Sequence, residues 1–160
     1  MSDRKLARRA RLLRLGLNLY PPYLGAGIKV QRISPDCREA RVRMALRWYN
    51  RNFVGTQFGG SLYSMVDPFY MLLLMPLLGD DYIVWDKAAS IDFVTPGKGP
   101  VYADFRIDDA LLADIRAKTA EGDKYLPELY VEVRDGSGTL VARVHKTLYV
   151  RLKPRARQAA

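Results

Sequence analysis

The stretch Gly59-Gly60-Ser61-Leu62-Tyr63-Ser64-Met65-Val66-Asp67-Pro68-Phe69-Tyr70-Met71-Leu72-Leu73-Leu74-Met75-Pro76-Leu77-Leu78 decides the fold. Residues 59–78 predict one long helix, apolar on almost every side from Phe69 to Leu78, and such a helix has to be wrapped by other structure. Pro68 removes a hydrogen-bond donor and predicts a kink beside Asp67. The apolar run from Pro68 to Leu78 is too short to span a bilayer and follows Asp67 directly, so a buried helix is expected.

Working outward, the flanking segments read as strands. Gly27 to Ser34 is the first, and Ser34-Pro35-Asp36 is a turn. Arg38 to Tyr49 is the second, with Ala40, Val42, Met44, Leu46 and Trp48 on one face and Arg41, Arg43 and Arg47 opposite. After the helix, four more strands are expected near 82–95, 99–108, 125–135 and 139–151, with a short helix and loop over 109–122. Val101, Ala103, Phe105 and Ile107 alternate with polar residues, and Asp135-Gly136-Ser137-Gly138 is a tight hairpin signal. In the last strand Leu140, Ala142, Val144, Leu148 and Val150 share a face. The order predicts an α+β architecture, one curved antiparallel sheet wrapped around a long central helix. Such a sheet has two edges to cover, and a two-fold partner can cover one.

The 160 residues suit one domain with a real core. The net charge of +9 invites a nucleic-acid reading, but its placement argues against one. Residues 1–14 carry six cations against Asp3, and residues 151–160 carry four cations and no acid, so 15–150 nets zero. Residues 3–20 predict an extra N-terminal basic amphipathic helix, with Leu6, Leu12, Leu13, Leu15 and Leu17 among arginines and Pro21-Pro22 at its end. Two readings stay open for it: a helix laid on the domain with its arginines in water, or a weak contact with an anionic membrane surface. The expected organisation is this helix over 1–22, the main domain over 23–151 and a basic tail over 152–160. Cys37 is the sole cysteine and His145 the sole histidine, so neither an internal disulfide nor a zinc cluster is expected. A reducing compartment, the cytoplasm, is the expectation, and the charged N-terminus does not read as a secretory signal.

The chemistry concentrates around Asn52 to Asp67. Gly59 and Gly60 open a helix, so backbone N–H groups there can approach a ligand closely, and the helix dipole favours a carbonyl oxygen gaining negative charge. Asp67 follows Gly60 by about two turns, roughly 10 Å, with Gly60, Tyr63, Ser64 and Asp67 near one stripe. A carboxylate in an apolar helix needs a partner. The strand face Trp85, Lys87, Ala89, Ile91, Phe93 holds one polar residue, so Lys87 is the expected partner, either as a structural ion pair or as a polar site cut into the core. Asp86 is a candidate for the same pocket or an ordinary surface acid.

Asn52, Phe58-Gly59-Gly60 and Asp67 resemble a pattern in hotdog-fold acyl-CoA thioesterases of the phenylacetyl-CoA-pathway group, where an Asn, a His-Gly-Gly and an Asp stand at these spacings. The flanking Asn50-Arg51-Asn52-Phe53 and Gly59 to Tyr70 are more similar to an uncharacterised hotdog family named for tetrameric acyl-CoA thioesterases, and Asp92 to Gly97 resembles the strand end of these folds. The resemblance covers roughly 24–151. It implies a hotdog fold and a homodimer or homotetramer without cofactor or metal. It further implies hydrolysis of an acyl-CoA or acyl-carrier thioester, with Asp67 as nucleophile or general base, Asn52 orienting water or substrate and the Gly60 N–H binding the oxyanion. Asp67 and the Asn52 loop would come from opposite subunits. Phe58, Gly59, Tyr63, Ser64, Lys87 and Asp86 would contact substrate. Phe58 departs from the pattern, because an apolar ring stands where the family has His. That departure motivates an alternative, a non-catalytic acyl- or lipid-binding protein. His145 lies on the outward face of the last strand and reads as a surface residue, and Cys37 as a structural thiol.

Overall fold

The computed structural model describes residues 3–154. Helix α1 (Asp3–Leu19) and the short α2 (Pro21–Ala26) lead into strands β1 (Ile28–Ile33) and β2 (Glu39–Met44). Helices α3 (Gly59–Ser64) and α4 (Phe69–Leu78) follow, then β3 (Tyr82–Phe93), β4 (Val101–Arg106), α5 (Asp109–Thr119), β5 (Lys124–Tyr125), β6 (Glu128–Asp135) and β7 (Leu140–Leu152). All pairings are antiparallel, in the order β1-β2-β4-β6-β7-β3, with β5 added to β7. Of the expected basic tail, Arg155 and Arg157 lie outside the described residues.

The sheet buries one face against α4. Phe69, Leu73 and Leu74 are fully buried, and Phe69 stacks on Phe105 at 4.8 Å between ring centroids. The alternation in β4 holds, with Val101, Ala103 and Phe105 all inward. Residues 59–78 are apolar and long enough to cross a membrane by composition, and their place is against the sheet. The helix breaks rather than kinks: residues 65–68 form turns between α3 and α4. The Asp67 N–H still bonds to the Tyr63 carbonyl at 3.0 Å, whereas Pro68 has no N–H to continue the ladder.

Three other expectations are corrected. The second strand ends at Met44, and Trp48, expected inside, is exposed. Asn50 ends it: its buried amide donates to Ala45 O (2.7 Å) and Ala26 O (2.8 Å) and accepts from Arg47 N (2.6 Å), folding 45–50 into a turn. The strand expected over 125–135 is split into β5 and β6, where Pro127 cannot donate to the ladder. In β3 a bulge between Asp86 and Ala88 leaves Lys87 unpaired. Beyond it Ala89, Ile91 and Phe93 share the face of Lys146, Val144 and Ala142, but before it Val84 and Asp86 point inward and Trp85 outward.

The two sheet edges differ. On β1 the Asn18 side chain of α1 acts as a surrogate strand, accepting from Val30 N at 2.8 Å and donating to Val30 O at 3.0 Å. On β3, which pairs with β7 alone, residues 88–90 are exposed and uncharged.

Candidate functional site

A polar cluster is cut into the core where α3, β3 and β7 meet. Its centre is Lys146, on the inward face of β7 between Val144 and Leu148 and wholly buried. The Lys146 ammonium lies 2.7 Å from Asp67 Oδ1, 2.9 Å from Asp86 Oδ1 and 3.2 Å from the Tyr63 hydroxyl. The Tyr63 hydroxyl donates to the same Asp67 Oδ1 at 2.6 Å, as side chains four apart on a helix can. Burial by itself would push the Lys146 ammonium down, but the Asp67 and Asp86 carboxylates beside it overcome that and hold it above the ordinary lysine value. Burial raises the Asp86 carboxyl, with Lys146 pulling the other way. Burial, and then donation to Asp67, raises the Tyr63 phenol.

Asp67 is the open member, its side chain 43% exposed against 23% for Asp86. Both of its hydrogen bonds fall on Oδ1, so Oδ2 has no partner among the described residues. The carboxylate therefore has one oxygen held by two donors and one left unengaged among the described residues, on a side chain that is partly open to solvent.

The expected partner of Asp67 is corrected. Lys87 is the extra residue of the bulge and its side chain is exposed, so it does not reach the cluster. The inserted residue moves the inward register from odd to even positions, which brings Asp86 in instead. Lys146 was missed by sequence reasoning, although the period-2 pattern of the last strand carried the signal. Residues 142, 144, 148 and 150 define a buried row, and Lys146 fills its one remaining slot.

The other candidates gather elsewhere. Asn52, Gly59 and Phe93 line a separate cleft of about 320 Å³ with Gln57 and Leu62; Asp67 is not in its wall. The Asn52 side chain is committed to its own loop, accepting from Val54 N and Thr56 N and donating to Thr56 Oγ1 at 2.9 Å. Ser64 Oγ turns back on Gly60 O at 2.8 Å, away from the cluster. The N–H groups of Gly59 and Gly60 donate to nothing among the described residues, and Phe58 offers α3 no side-chain cap. A Cβ at Gly59 would sit 2.9 Å from the Phe93 ring, and one at Gly60 would sit 2.6 Å from the ring of Phe58, which folds over it and is 54% exposed. With α3 only six residues long, the dipole at this end is that of a short helix, weaker than a helix over 59–78 would give.

His145 stacks on Tyr130 at 4.4 Å on the outer face of the sheet, far in pattern from the inward row. Cys37 is fully buried, and burial pushes its thiol up, which suits a structural residue.

The family described as Domain of unknown function (DUF4442) matches residues 8–150. No protein with a curated description matches. Among solved structures, a Pseudomonas aeruginosa protein of unknown function called "Probable Thioesterase" superposes with a TM-score of 0.77 at 20% identity, covering 89% of this chain and 95% of that one. A thioesterase from Haemophilus influenzae gives 0.64 at 13% identity, covering 88% and 89%. The PaaI protein of the E. coli phenylacetic acid degradation operon gives 0.61 at 15%, covering 92% and 95%. At these identities the likeness concerns the fold, and with the family match over most of the chain it leads to one conclusion: this protein belongs to the DUF4442 family and has the hotdog fold of those thioesterase structures.

Proposed function

We propose that the protein is a thioesterase acting on an acyl thioester of coenzyme A or of an acyl carrier, in the cytoplasm, as a homodimer or a homotetramer. The observation that carries the reading is the divided Asp67 carboxylate, with Oδ1 held by Lys146 and Tyr63 and Oδ2 open. A water on Oδ2 gives its proton to the carboxylate as its oxygen adds to the thioester carbon. The C–S bond then breaks, and the proton passes to the leaving thiolate. Direct attack by Oδ2, with hydrolysis of the resulting anhydride, is the other route. The free N–H groups at Gly59 and Gly60 supply donors for the carbonyl oxygen.

The open edge of β3 supports the oligomer. Asp86 lies toward one end of this strand, in the cluster, and Phe93 at the other, in the cleft. Two copies of β3 paired antiparallel about an axis near Ala89 set the cluster of one beside the cleft of its partner, which joins Asp67 to an Asn52 loop from the other subunit.

Thiol release from a panel of acyl-CoA substrates tests the proposal, run beside Asp67→Ala and Asn52→Ala. Loss of turnover in Asp67→Ala is expected, and a folded variant with the wild-type rate removes Asp67 from the chemistry. Mixing the two inactive variants and letting subunits exchange restores about a quarter of the activity if each site draws on both copies.

A second reading has its own observation. The exposed Phe58 ring stands over Gly60, where the related pattern has a hydrogen-bonding side chain. An acyl-binding protein without turnover would hold long-chain acyl-CoA and release no thiol, and Phe58→His separates the two by gaining rate only if the rest of the machinery is present.

A further inference from the structure

Helix α1 has two apolar stripes, and the sheet uses one. Leu6, Ala10, Leu13 and Leu17 pack inward against the core. Arg8, Leu12, Leu15 and Leu19 follow the same spacing on the opposite face, and the three leucines are 55%, 46% and 73% exposed. Tyr20 and Leu24 extend this exposed apolar line beyond the helix end. Arg4, Lys5, Arg8, Arg9 and Arg11 surround it, and none of them pairs with a carboxylate among the described residues. A groove of about 600 Å³ carries the apolar floor on to Leu72 and Met75 of α4, with Lys5, Arg8 and Arg9 at its rim.

We infer that this face docks the protein on an anionic lipid bilayer, with α1 lying in the interface plane. The pattern fits the physics of such helices: leucines enter the acyl boundary while flanking cations meet lipid phosphates. Self-pairing of the face would set these cations against their own copies, like charge on like charge. A nucleic-acid face would leave the leucines without a role. Helix α1 lies on β1, at the opposite end of the strand order from β3, so docking does not compete with the proposed dimer edge and does not depend on the thioesterase reading.

Co-sedimentation of the full chain with phosphatidylglycerol-rich vesicles, against pure phosphatidylcholine vesicles, tests this. Binding to the anionic vesicles alone is expected, weakened at about 0.5 M salt. Arg4→Gln/Arg8→Gln/Arg11→Gln is expected to weaken partitioning roughly a hundredfold, from about 1 kcal/mol per cation. Leu12→Gln/Leu15→Gln/Leu19→Gln, all at exposed positions, is expected to weaken it at least about tenfold with an unchanged melting temperature. Three results overturn the inference: no sedimentation of the wild type, a leucine variant that sediments like wild type, or a leucine variant that changes the oligomer's size while keeping vesicle binding.

Discussion

Replacing Lys146 by methionine isolates the charge at the heart of the cluster. The unbranched side chain keeps most of the aliphatic stem, so the loss is the ammonium rather than packing volume. Two effects oppose each other. Burying an ammonium is costly, and the substitution relieves that. Against it, Asp86 and Asp67 lose the cation at 2.9 and 2.7 Å, and the Tyr63 hydroxyl loses a donor. Removing one member of a fully buried pair costs about 3–5 kcal/mol. Asp67 is 43% exposed and can turn to water, which discounts its share. The expected net loss is about 2 kcal/mol near neutral pH, a fall of about 1 M in the urea midpoint at fixed protein concentration.

The sign with pH follows from Asp86. Burial already holds its carboxyl above the usual range in the folded protein. A raised carboxyl favours folding while protonated, and that advantage is lost as pH rises through the folded-state value. Without Lys146 the value goes higher. The deficit of Lys146→Met therefore accumulates as pH climbs out of the ordinary carboxylate range and disappears below it, where Asp86 is protonated in both states. Lys87→Met is the control: on an exposed bulge, it is expected to change stability by less than about 0.5 kcal/mol. A Lys146→Met protein with the wild-type urea midpoint, or with a deficit that ignores pH, refutes the account of the cluster.

Asn50→Ala strips three hydrogen bonds and leaves the Ala45 carbonyl without its amide donor, so a loss of about 2–3 kcal/mol is expected in thermal or urea unfolding. Asn18→Ala uncovers the β1 edge at a cost of about 1 kcal/mol, and hydrogen exchange at the Val30 amide should speed up selectively. Gly59→Ala places a methyl 2.9 Å from the Phe93 ring. Because that ring is exposed and can swing away, the stability cost should stay below about 1 kcal/mol, and Phe93→Leu should remove it.

Much of the fold was legible because its signals were strong and local. The alternation from Val101 to Ile107, the Asp135 hairpin turn and the continuous apolar run from Phe69 to Leu78 are each carried by a few consecutive residues, and each forms as read. What escaped depends on single residues acting over distance. A period-2 pattern has no means of showing an inserted residue, so Lys87 took the place that belongs to Asp86. The end of β2 is set by Asn50, whose acceptors lie 5 and 24 residues away. Lys146 illustrates the reverse case: the period placed it inside and its chemistry argued otherwise, and the period was right.

The retained charge bears on what the cluster is for. A lysine and two acids set among leucines and valines are more than stability asks, since well-packed apolar replacements for a buried ion pair are often as stable or more so. The polar groups are also unevenly placed. Lys146 is sealed, Asp86 is mostly covered, and Asp67 opens outward with one oxygen unengaged. A purely structural pair gains nothing from leaving one member open, whereas a base held at one oxygen needs the other free for the water it activates. The sealed cation fixes the open acid in place next to β3, whose outer edge pairs with no other strand among the described residues and is the edge that the proposed dimer uses.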